Sequence, residues 1–227
     1  MMNLINVNHL TLGYEHQEVI KDLSFTVEKG DFITIIGANG SGKSTLVKGL
    51  LGLIKPMQGD IQYHIDTKQI GYMPQETKID ATFPASVEEI VLSGTLNRLG
   101  HRPFYGKKER KLADDSLALL DILDLKKKSF TNLSGGQRQK VLLSRALSAT
   151  RELLILDEPS NNLDFSSREE FYKIIHRLNK EEGITILMIT HDLDMHAIAG
   201  NKIIAFEDQE IFVGKIEDYR RKMHESL

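Results

Sequence analysis

Leu23, Phe25 and Val27 alternate with Asp22, Ser24 and Thr26, the period of two of a strand with one buried face. The pattern predicts strands around residues 10–14 and 20–27. Residues 32–36 differ: they form an unbroken apolar, β-branched run that ends in glycines, as suits a central strand buried on both faces. A helix is predicted over 43–53, stopped by the turn Lys55-Pro56-Met57-Gln58-Gly59, and two short strands are expected before Pro74.

From Gln75 to about residue 150 the pattern turns helical. Ser86-Val87-Glu88-Glu89 has the spacing of a capping box, with Val87, Ile90 and Val91 supplying an apolar face. A basic loop over 101–111 precedes a helix whose Leu112, Leu117, Leu119, Leu120 and Leu123 are expected to be largely core. Residues 153–156 then read as a buried strand. Phe171, Ile174, Ile175 and Leu178 follow at the helical spacing i, i+3, i+4, i+7, before a strand at 184–189 and a helix after His191. Such alternation predicts a mostly parallel sheet flanked by helices, an α/β fold. Lys126-Lys127-Lys128 reads as a solvated loop face.

Composition narrows the function without naming it. The 227 residues include no Cys and no Trp, and the formal net charge is -3. Disulfide frameworks, Cys-ligated zinc and cysteine nucleophiles are thereby excluded. The first residues lack the basic and apolar segments of a signal peptide, and no apolar run approaches the roughly 18–20 residues of a membrane span, so a cytoplasmic setting is expected. A slightly acidic chain is also poorly suited to nucleic acid, which needs a basic face to displace counterions.

Three motifs carry chemistry. Gly37-Ala38-Asn39-Gly40-Ser41-Gly42-Lys43-Ser44 fits G-x-x-x-x-G-K-[ST] between a buried strand and a helix. Its glycines let backbone N–H groups wrap phosphate oxygens, Lys43 reaches the β and γ phosphates, and the Ser44 hydroxyl ligates Mg2+. Leu153-Leu154-Ile155-Leu156-Asp157-Glu158 is a strand ending in two acids. Side-chain alternation sends the carboxylates different ways, Asp157 toward Mg2+ and Glu158 toward the γ phosphate and a water. Leu133-Ser134-Gly135-Gly136-Gln137 opens a further helix, with Ser134 as N-cap and two glycines leaving N–H groups exposed at the positive helix end. One phosphate loop is already a complete cradle, so this second anion site suits a nucleotide bound to another subunit.

The order of these motifs, closed by Thr190-His191-Asp192, resembles the nucleotide-binding subunit of an ATP-binding cassette (ABC) transporter across essentially the whole chain. The resemblance implies a single P-loop NTPase domain over 1–227. Its nucleotide-binding core, with an N-terminal antiparallel β subdomain, occupies about 1–75 and 151–227, and an inserted helical subdomain carries the Ser134 motif over about 76–150. It implies that two subunits sandwich two ATP molecules head to tail, each phosphate loop, extended to Thr45, facing the partner's Ser134, Gly135, Gly136 and Gln137. Tyr14 matches the aromatic that stacks on adenine, and Gln75 the glutamine that touches Mg2+ and the attacking water. His191 matches the histidine that bonds the γ phosphate. Asn161-Asn162-Leu163-Asp164 occupies the loop that contacts the opposite subunit. Lys140 stands where arginine is common, and the paired asparagines are an uncommon start to that loop.

Residues 70–75 and 83–94 are similar to the same region of zinc and manganese uptake ATPases, the Phe83-Pro84-Ala85-Ser86-Val87 run most of all to the zinc branch. The implied protein hydrolyses ATP at the inner face of the membrane and works through a permease and, indirectly, an extracellular solute-binding protein. Manganese or iron-complex import are the alternatives. A translation-type ATPase would normally carry two cassettes and a basic linker, and a DNA-organising one long coiled-coil heptads; neither is present.

Overall fold

A computed structural model describes residues 2–15, 17–75, 85–100, 102–161, 163–191, 200–207 and 210–225. The chain forms two compact units, residues 1–67 with 179–227, and residues 68–178.

In the first unit, β1 (Asn3–Tyr14) and β2 (Gln17–Glu28) form a long antiparallel hairpin, and β4 (Gln58–Tyr63) pairs antiparallel with the other edge of β1. Both hairpin strands outrun the expected spans, yet their inward sets stay aligned. Val7 pairs with Phe25, Leu10 with Leu23 and Leu12 with Ile20, so one extra residue in β1 is followed by one in β2. His9 and Asp22 supply the two bulges at φ 46° and 48°. A single bulge would turn every following side chain to the wrong face, whereas the second restores the register. Leu23, Phe25 and Val27 are buried, as their period required.

The same unit contains a sheet in which β3 (Phe32–Gly37) lies parallel between β7 (Thr185–Ile189) and β8 (Lys202–Phe206), with β9 (Ile211–Lys215) antiparallel on β8. The run at 32–36 is indeed buried throughout. Helix α1 (Lys43–Leu50) follows β3, and α6 (Ile216–Glu225) packs Tyr219 on Ile36, Ile203 and Ala205. Expected to reach residue 53, α1 stops at Leu50 for a local reason. Gly52 takes φ 69°, its N–H bonds the Gly49 carbonyl, and Leu53 N–H bonds that of Lys48, a Schellman closure.

In the second unit β5 (Ile70–Met73) pairs parallel with β6 (Leu153–Asp157). Helices α2 (Val87–Ser93), α3 (Lys107–Leu119) and α4 (Gly135–Ala149) accompany them, and α5 (Phe165–Lys180) closes the unit. The α2 capping box is formed as its spacing predicted. Close packing on α4 is set by small residues: a Cβ on Gly94 would fall 2.0 Å from the Arg145 carbonyl oxygen, and one on Gly71 2.5 Å from that of Ala146. Phe171, Ile174, Ile175 and Leu178 of α5 are buried. Leu123 departs from expectation. It lies beyond the end of α3 in a short 3-10 turn and is 43% exposed, while Ala113 and Ser116 fill the core instead.

Among the described residues no helix is long and apolar enough to cross a membrane. The predicted helix after His191 falls on 192–199, outside the described residues.

Candidate functional site

Gly37 to Ser44 bridge β3 and α1. Gly37 has φ 151°, and a Cβ there would sit 2.7 Å from that of Phe206. Gly42 enters the helix at φ 110° with Val19 and Ile20 within 3.3 Å of a Cβ position, so a side chain would be both strained and crowded. The buried Lys43 donates from Nζ to the carbonyls of Gly37 and Ala38, 2.8 Å each, which draws its ammonium over the loop. Ser41 Oγ is buried and has no hydrogen-bond partner among the described residues. Ala38, Asn39, Gly40 and Ser44 are exposed and Thr45 is buried. A cationic head held over a glycine-rich loop, a buried hydroxyl and the start of a helix gather positive charge and donors in one place, and together they fit a polyphosphate.

Tyr14 ends β1 and is 43% exposed. His191 follows β7 through Thr190 and is exposed.

In the second unit the two acids at the end of β6 are buried, and each has its own partners. Asp157 Oδ2 accepts from the Tyr72 hydroxyl at 3.4 Å. Burial, then the Asp157 charge, push the Tyr72 phenol up to about 12, so it stays a donor at neutral pH. Glu158 Oε2 accepts from Gln75 Nε2 at 2.8 Å and also from the Asn161 amide. The backbone turns at Glu158, φ 47°, a left-handed conformation that costs an L side chain about 1–2 kcal/mol. That turn closes with an Asn161 N–H bond to the Glu158 carbonyl, 3.2 Å, and brings the Asn161 side chain back onto the carboxylate. Gln75 and Glu158, predicted separately, are thus brought together. Tyr72 and Asn161 were not foreseen as partners of the acids; only the alternation of β5, which turns Tyr72 opposite to Met73, hinted at the first.

Ser134 caps α4. Its Oγ accepts from Gln137 N–H at 3.3 Å, and Gln137 Oε1 accepts from Ser134 N–H at 3.2 Å. Ser134 and Gly135 are exposed, Gly136 and Gln137 half-buried, and no acid lies in the first turn to compete for an anion. Lys140 forms a 2.7 Å ion pair with Glu170 of α5.

Leu163 is buried and Asp164 exposed. Asp164 accepts from Ser167 N–H at 3.0 Å and from its hydroxyl at 2.8 Å, capping α5, and those bonds, the backbone one first, hold its carboxyl below the usual range. Asn162 lies outside the described residues, as do Phe83 and Pro84 of the zinc-like run.

The chain is similar to known proteins in sequence and in fold. The ABC transporter family profile aligns with residues 20–161. The zinc uptake system ATP-binding protein ZurA of Listeria innocua is 35% identical over 97% of this chain and 89% of its own length. The manganese transport system ATP-binding protein MntB of the same organism is 34% identical over 94% and 90%. A dimeric post-hydrolysis structure of the ATP-binding cassette MJ0796 with ADP and Pi superposes with a TM-score of 0.75, 26% identity and 94% and 99% coverage. Likeness at this level over almost the full length, on top of the loop and acid geometry, leaves one assignment: the chain belongs to the ABC transporter family, as a nucleotide-binding, ATP-hydrolysing subunit.

Proposed function

We propose that this ATPase drives uptake of a divalent metal, zinc first, through a membrane permease that it joins at the cytoplasmic face, with an extracellular solute-binding protein delivering the ion. Two copies pair head to tail. Residues 37–45 and Tyr14 hold one ATP, and Ser134, Gly135, Gly136 and Gln137 of the other copy complete its site. Leu163 and Asp164, with Asn162, contact the opposite copy, and about 76–150 act as the helical subdomain that meets the permease.

The reaction is phosphoryl transfer to water, in which the enzyme's work is positioning and charge neutralisation. Lys43 and the partner's α4 N-terminus neutralise charge on the γ phosphate, and His191 hydrogen-bonds it. Glu158 accepts the proton of the attacking water, which Gln75 helps orient. Ser44, Asp157 and Gln75 each offer an oxygen of the hard type that Mg2+ prefers and would hold the ion, which when bound supplies further neutralisation of phosphate charge. The observation that carries this reading is the Glu158 carboxylate steered by two amides at the end of a buried strand. Glu158→Gln keeps the shape and the amide contacts but removes the base; hydrolysis is expected to fall about 10²–10⁴-fold with ATP still bound and the dimer trapped. Steady-state turnover and light scattering with ATP check both, and unchanged turnover would sink the assignment.

Zinc is favoured over manganese by the likeness of the Phe83-Pro84-Ala85-Ser86-Val87 run to the zinc branch and by the ZurA relative. The MntB relative keeps manganese as the second reading. A strain lacking this chain should regain growth when zinc is added; rescue by manganese alone would transfer the proposal to that ion.

A further inference from the structure

The Tyr14 hydroxyl is met by two side chains of α1, Thr45 and Lys48. They stand three residues apart and so share a helix face. Lys48 Nζ is 3.2 Å from the hydroxyl and 5.5 Å from the ring centroid. Being so much nearer the oxygen, the ammonium engages the phenol end of the ring. Its backbone has little freedom, because the Lys48 carbonyl closes the Schellman turn with Leu53 N–H. Strand and helix approach closely here: a Cβ on Gly49 would lie 2.5 Å from Leu12 Cδ1.

We infer that Lys48 is a positioning residue that ties the Tyr14 ring to the helix whose first residue, Lys43, grips phosphate, so that base platform and phosphate loop form one rigid part. The inference rests on Tyr14 being the adenine-stacking residue. Lys48 then strengthens nucleotide binding through the base and not through the phosphates. Hydrogen bonds from Thr45 and next from Lys48 also hold the Tyr14 phenol below its ordinary pKa. A lysine that merely complemented the helix dipole would stabilise the fold and favour no part of the ligand.

The test compares affinities of the full chain for ATP and for inorganic tripolyphosphate, which lacks a base. Lys48→Met is expected to weaken ATP binding about three- to tenfold and tripolyphosphate less than about twofold, with Lys48→Arg restoring most of the loss. Tyr14→Phe keeps the ring but loses the bonds to Thr45 and Lys48, so it should cost at least as much as Lys48→Met, and adding Lys48→Met to it should cost nothing more. The chain has six Tyr and no Trp, so tyrosinate absorbance offers a second readout. Lys48→Met should move one phenol titration upward, and the move should vanish in the Tyr14→Phe background. Equal losses for both ligands, or additive losses in the double variant, would overturn the role of Lys48. Tyr14→Ala separates the two readings. If it leaves the ratio of ATP to tripolyphosphate affinity unchanged, Tyr14 is no base platform and the inference falls with it; if it lowers that ratio while Lys48→Met does not, only the role of Lys48 falls.

Discussion

At the scale of single residues, the Glu158 carboxylate depends on groups that do not belong to its own motif. Two amide donors share one of its oxygens, so removing Asn161 leaves the carboxylate steered by Gln75 with one amide fewer. Asn161→Ala is expected to lower kcat about tenfold with the KM for ATP within about twofold, the signature of a lost interaction that matters in the transition state. Asn161→Asp, placing a second carboxylate there, should cost more; steady-state ATPase assays decide both. The acids, the phosphate loop and the Ser134 cap were readable because their chemistry needs particular residue types at set spacing. Asn161 was not. Its approach depends on the left-handed turn at Glu158, and nothing in a strand-ending Asp-Glu pair announces that a non-glycine residue will adopt positive φ.

Among the elements, the molecule uses one device twice for different ends. Helices α2 and α4 both open with reciprocal caps, Ser86 with Glu89 and Ser134 with Gln137. Replacing either serine by alanine should cost about 1 kcal/mol of stability in chemical denaturation. Only Ser134→Ala should also impair ATP-driven pairing and turnover, which makes Ser86→Ala its internal control. The two caps differ in pH response. Hydrogen bonds from Ser86, side chain then backbone, hold the Glu89 carboxyl below its ordinary value of 4.5. A lowered pKa contributes stability that is present above 4.5 and lost as the pH falls through the folded value. The stability gap between wild type and Ser86→Ala should therefore shrink below pH 4.5, whereas the Ser134 cap, built with an uncharged glutamine, should keep its gap. Helix faces and buried strands were legible from period alone. Ends were not: Gly52 stops α1 three residues before the predicted end, and the compensating bulges at His9 and Asp22 carry no pattern that a period-two reading detects.

For the whole molecule, a phosphate loop in one copy and a Ser134 helix end in another predict complementation. Lys43→Ala and Ser134→Arg chains should each be inactive alone. In an isologous dimer of one with the other, one site collects both defects and the second collects none. Random mixing makes half the dimers mixed, so about a quarter of wild-type activity should return; no recovery would mean that loop and cap serve the same nucleotide within one chain. The division of the chain has a further consequence, in time. Strand β3 ends at Gly37, but its neighbours β7 and β8 begin only at Thr185 and Lys202. At about 5–20 residues per second of synthesis, an apolar, β-branched segment waits on the order of ten seconds with both edges open. During that interval the strand destined to carry the phosphate loop offers unpaired backbone to any passing chain, and holding it apart is an early task that its folding sets.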